Sequence, residues 1–352
     1  MWKMTSLTKI VGIQLPIIQA PMAGGATTPE LVAAVSNAGG LGSLGAGYMA
    51  PAEIKQAIRK IRELTDKPFA VNLFIPETGQ ATANQMQHAC DDIKQSCIEL
   101  NIEIAPISEP YAQSFAEQIN IIIEEKVPVF SYTFGMLDSA WISQLQTNHT
   151  ILIGTATTLA EARMLEENGS HFIVAQSSEA GGHRGTFLGK AEDALIGLIN
   201  LIPQLVTQIK IPIIASGGIM NGRGIAASLD LGAAGVQMGT AFLTCSEAGI
   251  PDIYKKTLLA QREDNTVLTR AFSGKLARGI RNKFIDRMGK KTTILDYPIQ
   301  NALTIAMRKK AKEQNNIDFM SIWAGQSAQL CRNTTASELI NALVIETQAL
   351  YK

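Results

Sequence analysis

The chain has 352 residues, 46% hydrophobic and 18% charged, with 29 glycines, so it can bury a large core and has the turn-rich composition of an α/β enzyme. Lys+Arg and Asp+Glu both number 31, a formal charge of zero, which argues against nucleic acid or an anionic membrane as a partner because both are bound through excess basic surface. Cys90, Cys97, Cys245 and Cys331 form no C-x-x-C metal or redox motif and read as reduced thiols of a cytoplasmic protein, while the N-terminus lacks the apolar core of a signal peptide and no apolar run reaches membrane-spanning length.

Eight short apolar runs follow one another along the chain: Pro16–Ala20, Leu41–Leu44, Phe69–Leu73, Val127–Ser131, Ile151–Gly154, Phe172–Ala175, Ile211–Ala215 and Gly235–Gly239. They read as buried parallel strands, since a strand covered on both faces shows a continuous rather than an alternating pattern. Helical patterns lie between them. The segment from Thr28 starts with a capping threonine and a first-turn proline, and the one from Thr158 ends at Asn168-Gly169. A polar insertion from about 76 to 109 lengthens the third connector. Beyond the eighth run, 254–327 loses the βα period and contains a basic stretch, 269–284, before an amphipathic helix from Ala336 to Leu350. Eight βα units predict an α/β fold, a (β/α)8 TIM barrel. The barrel is expected over 1–244, completed by the C-terminal helix within 335–352, with a smaller cap or substrate domain over 245–334.

The most informative segment follows the sixth run. Residues 174–187 pass from a β-branched strand into small residues and place His183 between Gly182 and Arg184. Glycine lets a backbone approach a ligand, and histidine has the side-chain pKa nearest neutrality. The carboxyl end of a barrel strand is where this fold puts its chemistry. His88, His149 and His171 have ordinary helical, turn and strand settings, so His183 is the candidate catalytic residue.

Two further constellations surround it. Ser216-Gly217-Gly218-Ile219 follows the seventh run and Gln237-Met238-Gly239-Thr240 closes the eighth, the two places where barrel enzymes commonly hold a phosphate. Gln19 to Gly25 follows the first run, where bare backbone and the polarizable Met22 could lie beside a planar ring. Asn72 and Gln176 end strands in apolar surroundings and could read the edge of a heterocycle; each could also simply brace a loop.

These residues resemble the FMN-dependent nitronate monooxygenases over nearly the whole chain. The segments that carry the likeness are 16–25, 69–74, 175–187, 211–219, 235–242, 269–284 and Trp323-Ala324-Gly325-Gln326. Glu179-Ala180-Gly181-Gly182-His183 is also similar to the loop of the flavin-dependent enoyl-ACP reductases, a sister group. Gln176, the Arg184-Gly185-Thr186-Phe187 run and the basic cap segment favour the monooxygenases. The resemblance implies an enzyme that oxidises nitronates such as propionate 3-nitronate with O2 to a carbonyl compound and nitrite. It implies FMN held by Met22, Asn72, Gln176, Gly181, Gly217, Gly218, Gln237, Met238, Gly239 and Thr240, with His183 facing the substrate and Tyr297 a candidate for the substrate cavity. An NAD(P)H-dependent enoyl-ACP reductase and a non-catalytic flavin-binding protein are the alternatives. Neither a metal nor a particular oligomeric state is indicated.

Overall fold

All eight expected strands form in the computed structural model, which describes residues 2–104, 106–262, 265–291 and 293–351. They are β1 (Ile17–Gln19), β2 (Gly42–Gly45), β3 (Phe69–Phe74), β4 (Val129–Thr133), β5 (Ile151–Ala156), β6 (Phe172–Gln176), β8 (Ile213–Ser216) and β9 (Gly235–Met238). The missing number, β7 (Gly182–His183), belongs to a second sheet described below. The eight run parallel in the order β1-β9-β8-β6-β5-β4-β3-β2. The ring closes between β1 and β2 at a single bridge, Ile18 to Leu41, where Gln19 N–H donates to Leu41 O at 3.0 Å. The buried Gln19 side chain supplements this short seam, donating to Ser43 O at 3.1 Å and accepting from Ser43 N–H at 3.1 Å. The chain is an α/β TIM barrel.

Two apolar layers stabilise it. Inside the ring, Ile18, Leu41, Ala70, Val129, Ile153, Val174 and Ile214 pack together. Leu7 and Val11, on the N-terminal helix Ser6–Val11, plug the lower end. That helix starts at a Thr5 cap and stops at Gly12, which has φ +78°, a conformation glycine adopts without strain. Outside, the apolar faces of the connecting helices cover the strands. The helix Pro29–Asn37 has Thr28 as its cap, accepting from Leu31 N–H, as the sequence predicts, and Leu159–Glu167 begins with a capping box between Thr158 and Glu161. The last helix, Ala336–Leu350, packs between Gly222–Asp230 and Pro29–Asn37 through Leu339, Ile340 and Leu343, completing the wall.

A second apolar core lies over the carboxyl ends of the strands. It joins Phe272, Phe284, Met288, Leu303, Met307 and Phe319 with Ala89, Ile93 and Cys97. The last three belong to the helix Ala83–Glu99, so the insertion after β3 packs into this upper layer. The basic stretch 269–284 is neutralised inside the fold. Arg270 pairs with Glu192, Lys275 with Glu77, and Lys283 with Glu99. Arg278, mostly buried, donates its Nε to Ser178 O at 3.1 Å. This layer also contains strands that the loss of βα period concealed. They are β10 (Thr266–Thr269) and β11 (Ala277–Ile280), antiparallel to each other, with β7 added to the edge of β11. Among the described residues no helix is long and apolar enough to cross a membrane.

Candidate active site

Strand register sets one polar rim at the barrel's upper mouth. Gln176 of β6 stands opposite Ser216 of β8, Ser216 opposite Gln237 of β9, and Asn72 of β3 opposite Ser131 of β4. These side chains border a cavity of about 430 Å³, open above and walled by both layers. Met22, Asn72, Gln176, Gly181, His183, Gly217, Gly218, Gln237, Met238, Gly239 and Thr240 all line it. Tyr297 does not; it is buried behind the wall, its ring centre 6.4 Å from that of His183.

His183 is more firmly held than a glycine loop suggests. Its backbone pairs with Ala277 of β11, and the Gln176 amide donates to His183 O at 3.0 Å while accepting from Gly185 N–H at 2.8 Å. The bracing role open for Gln176 in the sequence is thus what its side chain performs. Arg184, fully buried, donates to Ser177 O, Gln176 O and Ala194 O, fixing the same corner from below. Glu161 fixes the loop's far end. Its buried carboxylate accepts from Phe187 N–H at 2.6 Å, Leu188 N–H at 2.9 Å, Thr157 N–H at 2.7 Å and the Thr157 hydroxyl at 2.7 Å. Only the glycine at 182, with φ +75°, marks the bend by which the chain leaves the barrel for the upper sheet.

The imidazole is neutral. Burial, with the positive charges of Lys275 and Arg308, lowers its pKa to about 3. His183 Nε2 lies 2.7 Å from Ser273 Oγ, and the Ser273 hydroxyl is 3.2 Å from Lys275 O, which it can reach as donor. In that arrangement Nε2–H donates to Ser273 and Nδ1, which has no protein partner among the described residues, presents a lone pair. Around it stand Phe134 at 6.1 Å and Trp323 at 5.3 Å between ring centres. We expect the ring of His183 to stay unprotonated from neutral pH down to about pH 4 in the unliganded protein. Its imidazole resonances in a pH-titrated NMR spectrum should therefore show no inflection near 6.5; an inflection there would mean that the site is far wetter than its geometry implies.

The opposite wall suits a planar ring carrying a phosphate. Gly217 and Gly218 have φ +124° and +68°, so the turn after β8 exposes bare backbone that other residues could not adopt without strain. A methyl group at Gly239 would sit in ordinary contact with Ala20 Cβ at 3.5 Å and Met22 Sδ at 3.7 Å, so no clash closes that stretch of backbone. Asn72 donates to Ser131 Oγ at 3.0 Å, and its Oδ1 has no protein donor among the described residues. Thr240 Oγ1 accepts from Gly325 N–H at 3.0 Å and keeps its own proton for another acceptor. Gly181 has a second reason to be glycine: a Cβ there would stand 2.5 Å from the backbone of Ala324 and Gly325. The residues present fit a flavin.

The sequence did not single out Tyr48, Phe74, Phe134, Ser273 or Arg308 as site residues, although all line the cavity. Ser273 and Arg308 come from the upper layer, and their approach to His183 depends on tertiary contacts. Tyr48 and Phe74 could have been noticed, since each closely follows a predicted strand.

Comparison with known proteins agrees with this architecture. The nitronate monooxygenase family model matches residues 4–346. A probable nitronate monooxygenase of Staphylococcus saprophyticus is 46% identical over 343 residues, covering 97% of this chain and 96% of that protein. One from Staphylococcus haemolyticus is 44% identical, covering 99% of both. Among solved structures, nitroalkane oxidase from Streptomyces ansochromogenes superposes with a TM-score of 0.90 at 37% identity, covering 98% of both chains. FabK from Thermotoga maritima does so at 0.78 and 30% identity, covering 99% of this chain and 97% of that one. The chain belongs to the nitronate monooxygenase family and is an oxidoreductase.

Proposed function

We propose that the protein is an FMN-dependent enzyme that oxidises alkyl nitronates, such as propionate 3-nitronate, with O2 to a carbonyl compound and nitrite. The observation that carries this reading is one cavity with two unlike walls: bare glycine backbone from β8 and β9 on one side, and the neutral, Ser273-bound His183 on the other. Met22, Asn72, Gly217, Gly218, Gln237 and Thr240 would hold the cofactor, Gly181, Met238 and Gly239 would border it, and Gln176 would brace the strand end beside it. When bound, the flavin supplies the one-electron chemistry that starts oxidation of the nitronate. The barrel segments 1–244 and 335–352 would carry the cofactor and 245–334 most of the substrate side.

The protein's own contribution is position and charge. A nitronate is an anion; with the proton on Nδ1 and Nε2 accepting from the Ser273 hydroxyl, the neutral imidazole can donate one hydrogen bond to it. With a neutral nitroalkane the lone pair of Nδ1 can take the α-proton, and the nitronate charge formed beside it then favours the imidazolium. Phe134, Trp323 and Tyr297 surround this centre with apolar surface, which strengthens both interactions.

The protein should purify yellow, and the flavin released on denaturation should be FMN. The cradle after β8 and β9 suits a terminal monophosphate, and the Gly-x-Gly-x-x-Gly string from Gly40 to Gly45 runs into strand β2 instead of joining a strand to a helix, so it is no dinucleotide fingerprint. Chromatography of the released flavin decides this, and FAD would contradict the assignment. Anaerobic mixing with propionate 3-nitronate should change the flavin spectrum; bleaching by NAD(P)H instead, with no response to the nitronate, would favour an enoyl reductase.

A further inference from the structure

Among the described residues the imidazole of His183 has one hydrogen-bonding side chain against it, and that side chain is a hydroxyl. Nε2 lies 2.7 Å from Ser273 Oγ. The rings of Phe134, Tyr297 and Trp323 pack around the imidazole and make no hydrogen bond to it. The nearby Lys275 ammonium is already bound to Glu77 and to Thr186 O. No other protein group is placed to fix which ring nitrogen carries the proton.

The position of Ser273 is itself secured. Its side chain is buried at the cavity wall. The turn that carries it is held from the helix Ile299–Glu313, where buried Gln300 donates to Ala271 O at 3.0 Å and buried Thr304 donates to Phe272 O. On the side away from His183, Ser273 Oγ lies 3.2 Å from Lys275 O and accepts from Lys275 N–H at 3.3 Å. A hydroxyl has one proton to give and two lone pairs, so this geometry has two settings. In the first, Ser273 donates to Lys275 O and accepts from Nε2–H, which leaves Nδ1 with a bare lone pair. In the second, Ser273 donates to Nε2 and the ring proton is on Nδ1. The first setting leaves none of these donors without an acceptor. The second takes the hydroxyl from Lys275 O and leaves Nδ1–H unpaired until a ligand accepts from it, so the first is the resting state and an anion favours the second.

We propose that Ser273 is a positioning residue that switches His183 between base and hydrogen-bond donor by turning its hydroxyl. The inference rests on the nitronate reading and adds to it the residue that lets one imidazole serve both forms of the substrate. With a neutral nitroalkane the first setting offers the lone pair of Nδ1. The α C–H bond breaks, its electron pair stays on the substrate as the nitronate, and the proton bonds to Nδ1. The imidazolium so formed keeps Nε2–H on Ser273, whose hydroxyl is polarised by Lys275 O and stabilises the charge. With a preformed nitronate the ring exchanges protons with water at the open mouth, Nε2 losing one and Nδ1 gaining one. Ser273 then donates to Nε2 while Nδ1–H donates to the anion.

Nitrogen NMR of flavin-loaded protein labelled at histidine reads the tautomer directly, with the His183 signals identified by their loss in His183→Ala. Wild type should show a single tautomer at neutral pH, protonated on Nε2. Ser273→Ala should show the averaged shifts of a mixture, because the hydroxyl that held the proton is gone. A serine that merely fills space would leave the tautomer alone, so an unchanged pattern in Ser273→Ala would overturn the switch. In the same variant kcat for neutral nitroethane should fall by about tenfold to a hundredfold, while its preformed nitronate loses no more than about fivefold, mostly in KM. Ser273→Cys places a weaker donor and acceptor at the same point and should lie between, which also covers an alanine variant that folds poorly. Nitroethane turnover within about twofold of wild type in both variants would reject the role. If wild type turns over neither form of the substrate, the proposed function fails, and the NMR comparison still upholds or rejects the control of His183 by Ser273.

Discussion

Replacing His183 with alanine should lower kcat/KM for a neutral nitroalkane by about a hundredfold to ten-thousandfold, and for the preformed nitronate by much less. The difference follows from what the imidazole does in each case. With the neutral substrate it removes a proton, and nothing else in the cavity wall around it is placed as a base: Ser273 is already bound to it, and Lys275 is paired with Glu77 and lies over the Phe134 ring at 4.4 Å. With the nitronate no proton has to leave, so only one hydrogen bond is lost. Flavin content should stay near the wild-type level, since the imidazole stands on the wall opposite the glycine cradle and its backbone remains in register with Ala277. Steady-state kinetics on both substrate forms at one pH make the comparison. Small and equal losses on both would remove His183 from the mechanism.

Glu161→Ala should destabilise the protein by about 4 kcal/mol or more, among the largest effects expected of a single substitution. The carboxylate is fully buried and accepts from Thr157, Phe187 and Leu188 backbone N–H groups and from the Thr157 hydroxyl. Each buried donor left without an acceptor costs about 1–3 kcal/mol. Glu161→Gln keeps one acceptor oxygen but sets an amide N–H against one of these donors, so it should recover only part of the loss. A denaturant titration measures both, as a shift of midpoint at constant slope. A loss below about 1 kcal/mol for the alanine variant would mean that water reaches this carboxylate and takes over its hydrogen bonds. Activity should fall with stability, because Phe187 and Leu188 anchor the end of the loop that carries His183.

The barrel was legible because its signals are local. Continuous β-branched runs, a threonine-proline helix start at Thr28 and a helix end at Asn168-Gly169 each need only a few neighbouring residues, and each forms as read. The glycine wall of the cavity was legible for the same reason: glycine pairs at strand ends announce themselves wherever they fold. The wall that carries Ser273 and Arg308 was not. Strands β10 and β11 are short, four residues each, and neither alternates between buried and exposed residues, so no period marks them. Arg308 looks in sequence like any cation on an amphipathic helix, next to Lys309 and Lys310. Its effect on His183 emerges only when the fold brings it over the barrel mouth. Glu161 drew no notice in the sequence, because its task of holding Phe187 and Leu188 joins residues 26 and 27 positions apart. Gln176 fell between these cases, since the sequence allowed both cofactor contact and loop bracing and the structure shows its amide bracing the loop.

The pairing of β7 with β11 has a consequence for how the site assembles. Gly217 and Gly239, which shape the cofactor wall, are separated by one βα unit, so that wall can form as soon as two adjacent strands pair. His183 reaches its place only by meeting Ala277, 94 positions further along the chain, and its hydroxyl partner Ser273, 90 positions away. Closing a loop of that length carries a larger entropic penalty and belongs to the high-contact-order part of the topology, which forms late. The glycine turns after β8 and β9 are thus a product of local order, whereas the imidazole is set only when the distant end of the chain is in place.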